Sequence, residues 1–251
     1  MLENTLGDGS SLIHGLDPKI RILAAVFISV AVALCDNLVV AAGYLALACV
    51  LILVAQLPPK EVFKRLNPLF WFLLMIWIFL PLTFGGTLVF EYKFLAVSYP
   101  GILLSAKITL KSTAILLVFS ALLATMPIAA LGSGLHQLKV PDKLVFLLLM
   151  TYRYIAVIQE EYIRLLRAAN LRGFTPKTNL HSYRTYAFLA GMLFVRASLR
   201  AKRVYQAMRC RGFNQRFHSL DVYPPTALNY VFLSVMILAG TGLVAIELTL
   251  S

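Results

Sequence analysis

Charged side chains are scarce in this chain of 251 residues. Asp, Glu, Lys and Arg together make up 14% of it, about half the share found in an ordinary soluble domain. Hydrophobic residues make up 60%, and the mean hydropathy is +0.81. A soluble fold could not cover so much apolar surface with so few polar residues. The composition therefore excludes an ordinary soluble protein and indicates an integral membrane protein, most of which is a lipid-embedded bundle.

Cysteine is scarce as well, and its placement shows no disulfide framework or redox pair. The three cysteines are far apart without a C-x-x-C motif, and two stand in apolar runs, where cysteine behaves as a small core residue. The N-terminal stretch MLENTLGDGSS has acidic residues and no basic ones. A cleaved secretory signal begins with a basic region, so we expect the first membrane helix to direct insertion itself. The cysteines are Cys35, Cys49 and Cys210.

Two further absences limit the chemistry. The phosphate-loop pattern G-x-x-x-x-G-K-[ST] does not occur in the sequence, which excludes the usual mode of ATP binding, so energy must come from another subunit. The histidines are far apart, with no H-x-x-x-H pair, and do not predict a metal site. We expect no catalytic residue, no bound metal and no cofactor, and the chain is predicted not to be an enzyme. The histidines are His14, His136, His181 and His218.

The sequence does contain one strongly basic segment. The formal net charge is +12, and residues 135–218 hold 15 of the 23 basic residues but only three of the 11 acidic ones. This segment therefore carries the whole excess of positive charge. Two of its acidic residues, Glu160 and Glu161, would point about 100° apart on a helix. We predict a salt bridge from Glu160 to Arg164 one turn later and not an acid/base pair.

Long uncharged windows predict an all-α integral membrane protein with about five transmembrane helices, each needing about 20 mostly apolar residues. The first window is short for a full span, and a tight polar turn at Asp36 and Asn37 joins it to the second. The third contains a kink at Pro81, the fourth is broken at Pro127, and the last opens at a Pro-Pro pair. Six spans is the competing count, if part of residues 144–195 enters the bilayer. The windows are Ile22–Cys35, Leu38–Ala55, Leu66–Phe90, Ser112–Leu138 and Val222–Ile246.

Lys107 and Lys111 lie one helical turn apart near the start of the fourth predicted span. At the centre of a span each would cost about 2.5–3.5 kcal/mol, against a gain of about 0.3–0.6 kcal/mol for each leucine. We therefore expect both side chains near an interface, with their ammonium groups reaching towards water. Contact with a partner membrane subunit is the functional alternative.

The distribution of lysine and arginine predicts the orientation of the chain. Lys19 and Arg21 precede the first span and a basic cluster follows the second, whereas the turn at Asp36 and the loop around Glu91 are poor in positive charge. Because basic connections stay inside, we expect a multi-pass protein of the inner (plasma) membrane with a cytoplasmic N-terminus. The predicted regions are a bundle of four spans at 1–135, a basic cytoplasmic region of long amphipathic helices at 136–220 and a C-terminal transmembrane helix at 221–251.

The basic region contains two long helical patterns that end alike. The first runs from Asp142 to Gly173 with apolar positions recurring at three and four, and the second runs from about Tyr183 to Arg211. The end of the first, RLLRAANLRGF, is matched 39 residues later by RVYQAMRCRGF. Five residue types recur at the same spacing, namely Arg164, Ala168, Arg172, Gly173 and Phe174 in the first copy and Arg203, Ala207, Arg211, Gly212 and Phe213 in the second.

A glycine cap accounts for part of this repeat. Glycine takes the left-handed conformation after a last helical turn, the next residue packs back on the helix, and arginine suits the negative end of the helix dipole. Such a cap does not by itself require the arginine eight residues upstream or the alanine between. A glycine turn also lets a second surface approach closely, and arginine presents a rigid fork suited to carboxylates. Two such ends predict two equivalent acidic grooves on a partner that is a dimer or a pseudodimer.

These residues resemble the transmembrane T component of energy-coupling-factor (ECF) transporters, the CbiQ/EcfT family. LIHGLDPKIRIL at 12–23 is similar to the family's N-terminal LDPR-type entry, LHQLKVPDKL at 135–144 to its L-x-x-L-x-V-P stretch, and TYRYIAVIQEE at 151–161 to its YRY segment. The family motif is usually Ala-Arg-Gly, whereas this chain has leucine or cysteine before the Arg-Gly pair. The segments ITLKSTAILLVFSALLATMP and TYRYI are most similar to those of members that serve cobalt or nickel uptake.

The resemblance implies a non-catalytic coupling subunit of an ATP-driven importer, with cobalt or nickel as the cargo. It implies that the two Arg-Gly ends dock into a dimer of ABC-type ATPase subunits at the cytoplasmic face. A separate membrane-embedded subunit would bind the substrate. The implied coupling residues are Ala168, Arg172, Gly173, Ala207, Arg211 and Gly212, supported by Arg164, Arg203, Phe174 and Phe213.

Two other functions stay open from the residues. A self-sufficient carrier, not driven by ATP, would use Lys107 and Lys111 in a substrate path. A protein that binds nucleic acid or anionic lipid through the basic segment is electrostatically possible, but it gives no reason for the paired Arg-Gly ends, and we expect no nucleic-acid partner. The coupling interpretation would be contradicted by ends that lie far apart, that are buried inside the fold or that point to the side of the bilayer opposite to the cytoplasm.

Overall fold

The computed structural model describes residues 15–83, 88–92, 95–213 and 227–250. Within these residues the chain forms eight α-helices and one β-hairpin. They are α1 (Pro18–Leu34), α2 (Leu38–Ala55), α3 (Pro59–Thr83), β1 (Leu88–Tyr92), β2 (Leu95–Ser98), α4 (Tyr99–Leu122), α5 (Ile128–Gln137), α6 (Asp142–Leu171), α7 (Leu180–Cys210) and α8 (Ala227–Leu250).

The chain divides into two compact units. One contains the described residues of Leu135–Leu220, and the other contains those of Asn4–Gly134 and Asp221–Ser251. The first unit is therefore built on α6 and α7. The second unit joins α8, from the end of the chain, to the helices from its beginning.

The predicted all-α membrane fold is confirmed, with one addition. Strands β1 and β2 pair antiparallel between α3 and α4, with Leu88 opposite Ser98 and Tyr92 opposite Leu95. Leu88 is predicted to lie inside the third span, and this prediction is wrong because α3 ends at Thr83. An apolar run of this composition fits a strand as well as a helix, and periodicity does not separate the two in so short a segment.

Four of the described helices are long and apolar enough to cross a membrane. They are Leu38–Ala55, Pro59–Thr83, Tyr99–Leu122 and Ala227–Thr249. The predicted first span corresponds to α1, which has 17 residues and is shorter than each of these. The predicted count of five is reached only when α1 is included.

The predicted span boundaries are wrong where helices continue past the uncharged windows. Helix α3 begins at Pro59, seven residues before the predicted start, and its first turns carry Lys60, Glu61, Lys64 and Arg65. Helix α4 begins at Tyr99 with a proline in its first turn, and it ends before the break at Pro127 that separates it from α5. An uncharged window marks the part of a helix that lipid tolerates, whereas the helix itself extends into the polar interface.

Local sequence explains how the first two helices begin and end. Pro18 occupies the first turn of α1, and the Asp17 carboxylate accepts a hydrogen bond from the Lys19 amide at 3.0 Å. The Asn37 side chain caps α2 in the same way, accepting from the Val39 amide at 3.2 Å. The Asp17-Pro18 pair therefore begins α1 and the Asp36-Asn37 pair begins α2. The tight turn predicted before α2 is confirmed.

The core of the membrane unit is made largely of small side chains at helix contacts. Ala25, Ile28 and Val32 of α1 are fully buried together with Ala114, Val118 and Ala121 of α4. Small residues let helices approach closely where lipid offers no hydrophobic drive for association. Helix α8 is fastened to this core by a hydrogen bond from the Tyr44 hydroxyl of α2 to the Gly240 carbonyl, at 3.0 Å.

Arg21 is buried, which corrects the prediction that it flanks the first span. It lies inside α1 and is 2% exposed. Its Nε donates to the Leu122 carbonyl at 3.0 Å, and its Nη2 donates to the Thr125 hydroxyl. The last carbonyls of a helix have no intrahelical partner and carry partial negative charge. Arg21 therefore ties the start of α1 to the C-terminal end of α4.

Lys111 lies in the interior of α4 and not, as predicted, near the start of a span. Its Nζ donates to the Ala33 carbonyl at 3.1 Å and lies 3.7 Å from the Asp36 carboxylate. Asp36 is highly exposed, so this ammonium group is level with the polar α1–α2 turn. Glu247, near the end of α8, accepts from the backbone amides of Asp36 and Asn37 at the same turn. The middle of α4 and the C-terminal end of α8 therefore meet there.

Replacing Arg21 with methionine tests the tie between α1 and α4. The substitution removes the donor to the Leu122 carbonyl and the Thr125 hydroxyl, so we expect the stability to unfolding to fall by about 1–3 kcal/mol. The midpoint of thermal unfolding in a fixed detergent measures the effect. Lys19→Met, which removes the same charge two residues earlier, is the control and should cost much less. Equal midpoints for the two variants would contradict the assignment.

Candidate functional site

Helices α6 and α7 confirm the two long helices predicted for the basic region. The second begins at Leu180 and not at Tyr183, because Asn179 caps it by accepting from the Ser182 amide at 2.9 Å. The Ser182 hydroxyl in turn accepts from the Lys177 amide at 3.0 Å. These bonds order the connection between α6 and α7, which is predicted to be a polar loop.

Both helices end in the same hydrogen-bonded turn. The Phe174 amide donates to the Ala169 carbonyl at 3.1 Å and the Gly173 amide to the Asn170 carbonyl at 3.0 Å. At the end of α7 the Phe213 amide donates to the Met208 carbonyl and the Gly212 amide to the Arg209 carbonyl, both at 3.0 Å. This pair of bonds defines the Schellman motif. The repeated sequence therefore forms two copies of one backbone structure.

The two glycines have the backbone conformation that this turn requires. Gly173 has φ of +84° and Gly212 has φ of +79°, a region that other residues avoid because of their Cβ. A Cβ added at either position would meet nothing within 4 Å. The backbone at both turns is therefore open to the approach of another surface, and the need for glycine is conformational.

The repeated side chains also share their exposure. Arg164, Ala168, Arg172 and Gly173 are exposed in the first copy, and Phe174 is half-buried. The second copy repeats this pattern at Arg203, Ala207, Arg211, Gly212 and Phe213. The arginines that follow the last turn, Arg172 and Arg211, occupy the same C-cap conformation, with φ of −89° and −91°. Each end therefore presents a cationic side chain beside an uncovered backbone.

Helices α6 and α7 form a helical hairpin, and the two phenylalanines anchor its two Arg-Gly ends at opposite extremities. The Phe174 ring packs edge-on against Tyr186, near the start of α7, with centroids 5.6 Å apart. The Phe213 ring, beyond the end of α7, lies 5.3 Å from Phe146, near the start of α6. The helices therefore run antiparallel, and each Arg-Gly end lies beside the beginning of the other helix.

This arrangement separates the two ends by most of a helix length. Phe213 marks the position of the second end beside Phe146, and the helix from Phe146 to Arg172 spans roughly 35–40 Å at a rise of about 1.5 Å per residue. The expectation that the two ends lie close together is therefore wrong. Ends this far apart cannot enter one groove together, so the coupling interpretation requires a separate groove for each end.

One carboxylate joins α6 to α7 midway along the hairpin. Glu161 of α6 accepts a hydrogen bond from Arg196, and its other oxygen lies 3.9 Å from the Arg200 guanidinium. The Glu161 side chain is only 14% exposed. The hydrogen bond from Arg196 holds the pKa of the Glu161 carboxyl below its ordinary value of 4.5. The predicted ion pair between Glu160 and Arg164 is also present, at 3.4 Å and well exposed.

Sequence reasoning misses the contact between Glu161 and α7. The signal that could identify it is the charge pattern, since Arg196, Arg200 and Arg203 recur at four and three on one face of α7 and Glu161 is among the few acidic residues nearby. Deciding which of two adjacent glutamates faces that row requires the rotation of α6 about its axis. The sequence alone does not provide that rotation.

An apolar groove of about 450 Å³ lies between α6 and α7. It begins at Glu161 and Arg196 and ends at Phe146 and Met208, and its walls are mostly aliphatic and aromatic. The two helices are therefore in contact at the ends of the groove and stand apart between them.

The two histidines within the described residues, His136 and His181, lie in different places. Within residues 15–83, 88–92, 95–213 and 227–250, no three His, Cys, Asp or Glu side chains are placed to hold a metal ion. His136 lies 3.2 Å from the Asp142 carboxylate at the start of α6, and His181 lies beside Phe174. His14 and His218 lie outside the described residues.

Alanine at either turn glycine should destabilise the end that carries it. A non-glycine residue at positive φ costs about 1–2 kcal/mol, and no side-chain clash adds to that cost here. Hydrogen exchange at the Phe174 and Phe213 amides, which the turns protect, measures the loss for Gly173→Ala and Gly212→Ala. The control is Gly191→Ala, inside α7 and also in open space. It should leave exchange unchanged or slow it, because alanine is the better helix former.

The contact of Glu161 with α7 should depend on pH. A folded pKa below the ordinary 4.5 means that the carboxylate stabilises the fold fully above that value, and that this contribution is lost as the pH falls through the lowered pKa. The charges that face it are Arg164, Arg196 and Arg200. Chemical denaturation should show the wild type more stable than Glu161→Gln at neutral pH, with a difference that shrinks in acid. A difference that does not change with pH would show that the charge does not contribute.

Comparison with known proteins identifies similar chains. The model of a family described as CbiQ, cobalt transport protein, matches residues 9–221. The energy-coupling factor transporter transmembrane protein EcfT of Acidaminococcus fermentans is 28% identical over 225 residues, 83% of each chain. The proteins of the same name from Listeria innocua and Bacillus subtilis are 28% and 26% identical over 217 residues, 82% of each chain. The matched region includes both Arg-Gly ends.

Proposed function

Because the chain belongs to the CbiQ family, we propose that it is the transmembrane coupling subunit of an ECF-type importer, which passes the motion of ATPase subunits to a substrate-binding membrane subunit. It is a multi-pass membrane protein without catalytic activity of its own. The observation that carries the proposal is the pair of Schellman turns, each with an exposed arginine at its C-cap. A contact with one partner subunit would need only one such end, whereas contacts with both subunits of a dimer need two.

The partner at these ends is a pair of ABC-type ATPase subunits, each offering an acidic groove. Exposed arginines at Arg172 and Arg211 would pair with carboxylates there, and the open backbone at Gly173 and Gly212 would allow close contact. Ala168 and Ala207 lie one turn before these arginines and are exposed, so they leave room for the groove wall. Arg164 and Arg203 extend the positive surface along each helix.

In this proposal the regions have separate tasks. Residues 1–135 and 221–251 form the membrane bundle, and residues 136–220 form the coupling region at the cytoplasmic face of the inner membrane. The N-terminus is cytoplasmic. The meeting of Glu247 with the α1–α2 turn supports this orientation, since it brings the end of α8 to the same side of the bundle as that turn, the side poor in basic connections.

The proposed cargo is cobalt or nickel ion. The support is the description of the matched family as a cobalt transport protein and the likeness of residues 108–127 to members of that type. The substrate-binding subunit would select the ion, and this chain would not coordinate it. The carrier alternative has less support, because Lys111 is already occupied by the Ala33 carbonyl and the Asp36 carboxylate.

Removing both end arginines should release the ATPases or uncouple ATP hydrolysis from uptake. Breaking a charged pair by removing one partner costs about 2–5 kcal/mol, so Arg172→Ala with Arg211→Ala should lower ATPase co-purification about tenfold or more. Uptake is followed in proteoliposomes with labelled cobalt and, in parallel, nickel. The experiment also identifies the membrane protein that co-purifies.

The matched control is Arg167→Ala with Arg209→Ala. Both arginines are exposed, and their replacement removes the same charge as the Arg172/Arg211 variant. Neither of them has an arginine at the corresponding position of the other copy of the repeat. The control should keep assembly and uptake near the wild-type level. Full uptake and unchanged assembly in the Arg172/Arg211 variant would refute the proposal.

A further inference from the structure

The two coupling helices are held to each other at a small number of places. A charged contact joins Glu161 to Arg196 and Arg200, and ring contacts join Phe146 to Phe213 on one side of it and Phe174 to Tyr186 on the other. Between the charged contact and the Phe146–Phe213 contact lies the open apolar groove. Side chains of α6 and α7 do not fill this space, so packing between the helices does not determine their angle there. The three contacts carry that task, and the charged contact is the one between the two ring contacts.

The charged contact is the inner end of two arms, one along each helix to its Arg-Gly end. Arg172 follows Glu161 by 11 residues, and Arg211 follows Arg200 by the same number. At a rise of about 1.5 Å per residue each arm is about 16 Å long, so a rotation of about 15° at the contact moves each end by about 4 Å. A displacement of this size exceeds the tolerance of a bidentate hydrogen bond. The angle at Glu161 therefore controls whether both arginines meet their partners at once.

The charges around this contact make Glu161 difficult to replace. Arg164 of α6 and both Arg196 and Arg200 of α7 face the same carboxylate. A neutral side chain at position 161 would leave the guanidinium groups of Arg196 and Arg200 without the carboxylate that they share, and like charges repel. Glu160 does not share this role, since its ion pair is with Arg164 of its own helix.

We propose that Glu161 is a positioning residue that sets the angle between α6 and α7, and through that angle the position of each Arg-Gly end relative to the other helix. The importance of those positions for transport depends on the proposed function. The geometric part of the inference does not, and it is measured without any ATPase.

Distances between spin labels on α6 and α7 test the geometric part. Leu144, near the start of α6, and Cys210, at the end of α7, lie on the same side of the charged contact and are both exposed, so the distance between labels at Leu144→Cys and at the native Cys210 changes directly with the angle between the helices. Cys35 and Cys49 are replaced by alanine, and the full chain is placed in lipid nanodiscs. Glu161→Gln should shift the mean distance by about 4 Å or broaden its distribution by a comparable amount, because a rotation of about 15° moves the end of an arm of about 16 Å by that distance.

Three variants control this measurement. Glu160→Gln removes the same charge from the neighbouring position and should leave the distribution unchanged. Glu161→Asp keeps the carboxylate and should retain a narrow distribution. Arg196→Gln with Arg200→Gln removes the same contact from the α7 side and should broaden the distribution. A Glu161→Gln distribution equal to the wild type, or an equal change in Glu160→Gln, would overturn the proposal.

Transport measurements then separate positioning from assembly. In the complete complex Glu161→Gln should lower the cargo imported per ATP hydrolysed about threefold or more, because both ends no longer engage together. ATPase co-purification should fall less than in the Arg172/Arg211 variant, since both arginines are intact and either end can still bind by itself. Altered distances with normal transport would overturn the functional part alone. Failure of the Arg172/Arg211 experiment would refute the proposed function and leave the distance result standing.

Discussion

The reversal of the backbone after each long helix is the constraint on which this molecule depends. A helix end leaves carbonyl groups without partners, and at both ends a left-handed glycine turns the chain so that two amides satisfy them. The turn fixes where the preceding arginine sits, and it sends the following phenylalanine back onto the hairpin. Without the turn, the exposed charge, the uncovered backbone and the antiparallel anchoring would not occur together.

The features predicted from sequence are those that depend on local chemistry. Helices α6 and α7 follow from apolar periodicity bounded by a proline and a glycine, and their ends follow from the Arg-Gly-Phe repeat. The tight turn before α2 follows from Asp36 and Asn37. The i, i+4 pair of Glu160 with Arg164 depends only on helical spacing. None of these requires knowledge of which helices are neighbours.

The features that sequence does not predict depend on neighbouring helices. The residues next to Arg21 in the sequence are both basic and apolar, so they do not indicate whether it is buried. Its burial depends on a carbonyl at the end of α4, about a hundred residues away. Lys111 is tolerated inside α4 because the polar turn at Asp36 happens to be level with it. Helix α3 begins before its apolar window because charged side chains can occupy its interfacial turns. Glu161 is selected over Glu160 only by the rotation of α6 towards α7.

The offset of the repeat and the contact at the middle of the hairpin coincide. Residues separated by 39 positions correspond in the two copies, and Glu161 and Arg200 are such a pair that also touch. An approximate dyad axis therefore passes through this contact and exchanges one helix with the other. A single asymmetric polypeptide thus presents a nearly symmetric face to a symmetric assembly. The symmetry is imperfect, since Leu171 corresponds to Cys210 and Arg167 to Gln206, so two identical subunits bound to this face would experience different surroundings.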